Sequence, residues 1–355
     1  MTDPRVWMLY GANGYTGGLI AQHAVDCGHQ PILAGRNGPA ISALARRLGL
    51  PHRVEDSDDA AALQEALFDV ELLLNAAGPF LHTAVPLSEA CLSVGVHYLD
   101  LSNELQVFRS LYGLDDRARR AGICIMPGVG FGVVATNCLA CYVSEAVGGA
   151  EHLEVATRIA SAQPGPGAAA TMQENLPYGG WVRRGGHLVA QELFTGVTTI
   201  EFPDGPCEAM PVPTGDLEAA FRATGASNVT AYAVGPPAPD PSASEAEIAA
   251  AQIQQSFGWA RATSSDGSTA TALLQTGDSY SFTPAASVRC VEEIFEGSRS
   301  GALSPASAFG ADFALSIKDT ARIDIVETIP DLEGASRLNQ SITPTNPMKT
   351  SVATT

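Results

Sequence analysis

Positive charge is scarce in this chain. Twenty lysines and arginines stand against 38 acidic residues, a formal charge of −18, and a field of that sign repels phosphate backbones and anionic bilayers. Nucleic acid is therefore not an expected partner. Apolar runs of spanning length are lacking too: a fairly apolar stretch at 133–147 falls short of the roughly 20 residues that a membrane helix needs. No charged leader precedes an apolar segment, because Met1-Thr2-Asp3-Pro4 runs straight into a strand-like stretch, so a soluble, cytoplasmic protein is expected. The seven cysteines are odd in number and scattered, which fits a reducing compartment better than a disulfide framework. Cys138 and Cys141 form a C-x-x-C, but with no second pair and no histidines at zinc spacing. They read as small core residues, and no metal is expected.

What is present is core material. A chain of 355 residues with 45% hydrophobic and 16% charged side chains exceeds one comfortable core, so two globular domains are expected. Up to residue 126, short apolar runs at 6–10, 31–33, 52–55, 70–75, 97–99 and 123–126 alternate with helical patterns at 17–27, 39–48, 58–68, 84–94 and 110–121. That alternation predicts βαβ units and a doubly wound parallel sheet. After Pro127, strand-like runs at 153–159, 197–202 and 228–232 follow without regular helices, predicting an α+β domain with a mixed or antiparallel sheet. The proline-rich 235–244 reads as a loop, 245–257 as helical, and the polar residues from 339 on as a flexible tail.

The first strand runs into Gly11-Ala-Asn13-Gly14-Tyr15-Thr16-Gly17. In such a turn the first glycine permits the bend, the second admits a pyrophosphate to the backbone, and the third lets helix and strand pack closely. The second strand ends in Gly35-Arg36-Asn37, where an enzyme specific for NAD would usually carry an acid for the ribose diol. A guanidinium there suits a 2′-phosphate, so NADP(H) is expected. Asn75-Ala76-Ala77-Gly78-Pro79-Phe80 closes the fourth strand and reads as a cofactor contact, because strand tips line the crevice of this fold. Gly128-Val129-Gly130-Phe131 after the sixth strand suits a backbone against the nicotinamide and a hinge between domains. Tyr98, Asp100 and Glu104, around the end of the fifth strand, are either proton-handling groups or a buried ring with helix caps. In the second domain, Tyr178, Trp181 and Arg183 are either a carboxylate or phosphate anchor or a surface pair with neighbouring rings.

Together these motifs, with the downstream Met210-Pro-Val-Pro-Thr-Gly-Asp216, Asn228-Val-Thr-Ala-Tyr232, Gly277-Asp-Ser-Tyr280 and 304–312, resemble the saccharopine dehydrogenase-like oxidoreductases, including trans-acting enoyl reductases. The resemblance implies an NADP-binding Rossmann domain at 1–130, a substrate and dimerisation domain at 131–300 and a segment returning to the first domain at 301–338. It also implies a homodimer. Two carboxylates that the resemblance leads one to expect are missing: Gly132 and Asn137 stand in their places. The leading expectation is hydride transfer from NADPH to a C=C (enoyl) or C=N bond of a small-molecule or acyl substrate, with Tyr98 or water giving the proton. A redox-neutral cyclase or isomerase, or a non-catalytic NADP-binding partner, stays open beside it.

Overall fold

The computed structural model describes residues 5–160, 166–193, 195–237 and 255–325. Its first layer is a seven-stranded sheet built from β1 (Trp7–Tyr10), β2 (Ile32–Gly35), β3 (His52–Val54), β4 (Leu72–Asn75), β5 (His97–Asp100), β6 (Cys124–Met126) and a late addition, β15 (Gly301–Ala302). The order is β15-β6-β5-β4-β1-β2-β3, with every pairing parallel. β1 and β4 are buried at every position, as strands covered on both faces by crossover helices must be. Strand order reverses between β1 and β4. Their C-terminal tips therefore open the crevice where this architecture holds its ligands.

The second layer is a nine-stranded mixed sheet of β7 (His152–Arg158), β8 (Gly180–Arg184), β9 (His187–Gln191), β10 (Thr198–Phe202), β11 (Gly205–Pro211), β12 (Asn228–Pro237), β13 (Ser256–Thr263), β14 (Thr269–Thr276) and β16 (Ala321–Ile325). Only β7 and β12 pair in parallel; the other pairings are antiparallel. The apolar helix Phe131–Ala146 packs beneath it. A side chain at Gly258 in β13 would sit 3.1 Å from the Ala135 Cβ, so glycine there sets how closely helix and sheet approach. One apolar cluster runs from Leu9 and Leu74 through Val134 and Leu139 to Ala260 and Leu274, joining the two layers in a single core.

After β14 the chain comes back. The helix Ser279–Glu296 packs along Tyr15–Asp26, β15 adds to β6, and β16 then pairs with β14. Among the described residues no helix is long and apolar enough to cross a membrane.

The expected strands of the first sheet all form, and the departures are local. The stretch 110–121 is two helices, Leu105–Tyr112 and Asp115–Ala121, interrupted at Gly113, whose backbone already bonds to Arg109. The helix expected at 84–94 begins earlier, at Phe80. Of the helix expected at 245–257, residues 245–254 lie outside the described residues, while Ser256 and Phe257 are strand. There β13 is flanked on both sides, Phe257 opposite Arg158 and Gln275, and ladder pairing outweighs local helical pattern. Residues 235–237 of the expected loop extend β12; the rest of it and the tail from 339 lie outside the described residues.

Candidate functional site

At the crevice, Gly11 adopts φ +79°, and a Cβ there would fall 2.6 Å from the Ala77 nitrogen. Two backbones thus meet with nothing between them. A Cβ at Gly17 would lie 2.2 Å from the Gly11 carbonyl oxygen, which seats the first helix against the turn. Gly14 opens that helix with no side-chain cap and no acid in the first turn. The Gly14 N–H donates to the Gly11 carbonyl, so Tyr15, Thr16 and Gly17 supply the amides that a helix start leaves over for an anion. Gly35 brings β2 against Asn13, whose Oδ1 is 3.0 Å from where a Cβ would stand. Arg36 and Asn37 follow on the exposed rim. Asn37 caps the second helix, Gly38–Leu48, through Ala40 N–H, while the Arg36 guanidinium makes no ion pair among the described residues.

The opposite wall is the β4 tip. Ala76 N–H donates to the Tyr10 carbonyl, and Ala77 N–H to Asn75 Oδ1. Gly78 and Pro79, joined by a cis peptide, lead into Phe80. Asn75 itself is buried and donates to Thr83 Oγ1 at 3.0 Å and Tyr98 OH at 3.1 Å. Tyr98 in turn donates to Asp100 Oδ2 at 2.9 Å, and the other carboxylate oxygen accepts Ser102 N–H, Ser102 Oγ–H and Gly128 N–H. Glu104 accepts Phe80 N–H at 3.1 Å and Asn103 N–H at 2.9 Å. Tyr98, Asp100 and Glu104 are 0, 0 and 2% exposed. Burial pushes the Tyr98 hydroxyl well above its ordinary value and raises both carboxyls, against the donors that favour their ionised forms. The arrangement holds the β4, β5 and β6 tips in register, with every polar atom of the triad occupied inside the protein.

Beneath lie Gly128, Val129, Gly130 and Phe131, all buried. Gly128, at φ +75°, has no room for a Cβ against Val133 and Phe108. The Ser279–Glu296 helix covers this segment: Thr283 Oγ1 accepts Phe131 N–H at 3.1 Å, and Phe282 meets the Phe131 ring edge-on. Tyr280, from the same helix, stands edge-on to the 62% exposed Tyr15 at 5.1 Å. Thr283 carries no local signal, and Tyr280, although part of the Gly277-Asp-Ser-Tyr280 motif, reaches the crevice only through the tertiary return of the chain.

The second-domain candidates separate. Arg183 is 4% exposed, pairs with Glu218 at 2.9 Å, donates to the Leu217 and Gly186 carbonyls and lies over the Phe221 ring. Those contacts clamp β8 to the Asp216–Thr224 helix. Trp181 Nε1 donates to the Tyr178 carbonyl, and the Tyr178 ring is half exposed. What the second domain does bring to the β4 tip is the Pro166–Asn175 helix. Thr171 Oγ1 lies 3.6 Å from the Cβ position of Gly78, and Glu174 bonds His82 at 2.9 Å. At the two sites of missing carboxylates, Gly132 faces the Asn103 amide, and buried Asn137 accepts Ala306 N–H while its own Nδ2 has no partner among the described residues. Cys138 and Cys141 are buried, with thiols pushed up to about 12 by burial, and no metal-holding cluster occurs among the described residues. Two cavities of about 440 and 390 Å³ lie elsewhere, one lined by Gln64, Glu89 and Arg117, the other by Arg5, His97 and Arg299. Neither includes a strand-tip residue of the crevice.

Fold and crevice define a Rossmann-type dinucleotide-binding protein with a mixed-sheet second domain. Residues 7–126 match the family described as the saccharopine dehydrogenase NADP binding domain. That match covers the first domain alone and supports NADP(H) as its cofactor. The chain is similar to the trans-acting enoyl reductase of Mycobacterium ulcerans (strain Agy99), 31% identical over 138 residues, which are 37% of this chain and 33% of that protein. It is 28% identical, over the same shares, to the trans-acting enoyl reductase of Mycobacterium tuberculosis (strain ATCC 25618 / H37Rv). The match thus spans about a third of these relatives' length. In three dimensions the apo saccharopine dehydrogenase (L-Glu forming) of Saccharomyces cerevisiae superposes with a TM-score of 0.60 over 91% of this chain and 100% of that one, at 12% identity. The likeness is one of fold.

Proposed function

We propose that the protein is an NADPH-dependent oxidoreductase that reduces a C=C (enoyl) or C=N bond of a small-molecule or acyl substrate held between its two domains. The observation that carries this is the uncapped, acid-free start of the first helix, with Arg36 exposed at the adjoining strand tip and without an ion pair among the described residues. The amides of Tyr15, Thr16 and Gly17 would take the pyrophosphate, and Arg36 with Asn37 the 2′-phosphate. Asn13 and Gly35 would border the adenosine side. Ala76, Ala77, Gly78, Pro79 and Phe80 would line the crossing, and Gly128, Val129, Gly130 and Phe131 the nicotinamide end. When bound, NADPH supplies a hydride with its electron pair to the electron-poor carbon of the double bond. Tyr98, Asp100 and Glu104 act in this reading as positioning residues, holding the loops that shape the pocket. The family resemblance extends the proposal to a homodimer, and the scattered, odd-numbered cysteines extend it to the cytoplasm.

Absorbance at 340 nm tests it: purified protein with NADPH and crotonyl-pantetheine, 2-cyclohexenone or a cyclic imine should consume cofactor in step with product. Product formed without loss of absorbance would favour redox-neutral chemistry on the same fold. Light scattering of the same sample reads the dimer.

A further inference from the structure

Reduction of a double bond needs a proton as well as a hydride, and the carboxyls and phenol of the β5 tip are sealed inside the protein with their atoms occupied. We infer that His82, oriented by Glu174 across the two domains, delivers the proton to the substrate. His82 sits in the first turn of the Phe80–Val94 helix, its N–H on the Pro79 carbonyl, directly after the strand tip at which the order of the sheet reverses. Its side chain is 68% exposed, so a ligand can reach it. Nε2 is held by Glu174 Oε2 at 2.9 Å, and Nδ1 has no hydrogen bond among the described residues.

A carboxylate on one ring nitrogen fixes the orientation of the imidazole and leaves the other nitrogen to transfer the proton. An isolated exposed side-chain pair contributes little to stability, and this hydrogen bond joins helices of different domains beside Gly78, where Thr171 also approaches. The inference rests on the reductase reading above. As hydride reaches one end of the double bond, the π pair moves to the neighbouring carbon or nitrogen. The Nδ1–H bond of His82 breaks to protonate that atom, and the neutral imidazole regains a proton from water.

The test needs no substrate. NADP⁺ and NADPH differ by one positive charge on the nicotinamide ring, so an imidazole close to the reacting bond must titrate differently in the two complexes. The full chain with isotope-labelled histidine is titrated by NMR with each form, the His82 signal being assigned by its loss in His82→Gln. The expected result is a His82 midpoint lower by about half a pH unit or more with NADP⁺, with the remaining histidines unmoved. Calorimetric binding of both forms with equal His82 midpoints overturns the inference and leaves the reductase reading standing. No heat with either form removes both.

Discussion

Glu104 accepts the backbone N–H of Phe80 at 3.1 Å, so a carboxylate after β5 caps the helix that begins after β4. The second oxygen holds Asn103 N–H, while the Asn103 carbonyl accepts Gly215 N–H and Glu104 bridges to Thr214. One buried side chain thereby ties two strand tips of the first sheet together, and the backbone beside it ties them to the second domain. Glu104→Ala would strand two amides, at about 1–3 kcal/mol each. A loss of about 3 kcal/mol in urea unfolding is expected, with Glu104→Gln intermediate. A Gln variant of unchanged stability and abolished turnover would instead make Glu104 the proton donor.

Arg36→Asp reverses the charge where the 2′-phosphate would sit. A charge-assisted phosphate contact contributes about 1.5–3 kcal/mol, so NADPH should bind some 10- to 100-fold more weakly, with NADH little changed. Isothermal titration with both nucleotides reads the ratio; a ratio equal to wild type removes Arg36 from the site.

Gly17→Ala places a methyl 2.2 Å from the Gly11 carbonyl oxygen, and backbone, not a flexible side chain, would have to move. Overpacking of this kind costs about 1–3 kcal/mol. Lower thermal stability should accompany lost NADPH binding. Gly18→Ala, whose nearest atom would be 3.7 Å away, is the matched control and should bind as wild type.

How legible was all this before the fold? The strand, glycine turn and first helix were, because β1, the turn at Gly11 and the helix start at Tyr15 follow one another within a dozen residues. The buried apolar runs of the parallel sheet were legible for the same reason. His82 and Glu174 lie 92 residues apart, Phe131 and Thr283 152 apart; no spacing along the chain encodes such contacts. Arg183 shows the converse. As text it could be an anchor or a surface charge, and only packing reveals Glu218 and Phe221 on either side of it. For Glu104, an acid after a strand reads equally as catalyst or cap, since burial is a tertiary property.

Arg183→Ala follows from that packing. Removing Arg183 takes away the partner of half-buried Glu218 and the donors to the Leu217 and Gly186 carbonyls, and about 1.5–3 kcal/mol of stability should go with them. Denaturant unfolding measures it. A folded, fully stable variant with a raised substrate KM would return Arg183 to substrate binding.

Stability should also follow pH in a particular direction. Burial raises the carboxyls of Asp100, Glu104 and Asp216 against their hydrogen-bond donors. Each holds its proton more tightly folded than unfolded, so its contribution is complete below the ordinary carboxylate range and is lost as pH rises through the raised value. Asp115 runs the other way: burial works to raise it, but Ala302 N–H and the Arg222 and Arg119 guanidiniums hold it low, so its contribution is lost as pH falls through the lowered value. With three raised groups and a formal charge of −18 acting together, the melting temperature should peak in mildly acidic buffer and decline toward pH 8. Asp216→Asn, which keeps an acceptor for Thr136 or Thr214 but no titrating proton, should flatten that decline; a melting temperature that climbs from pH 5 to pH 8 in the wild type would show that the raised carboxyls do not govern it.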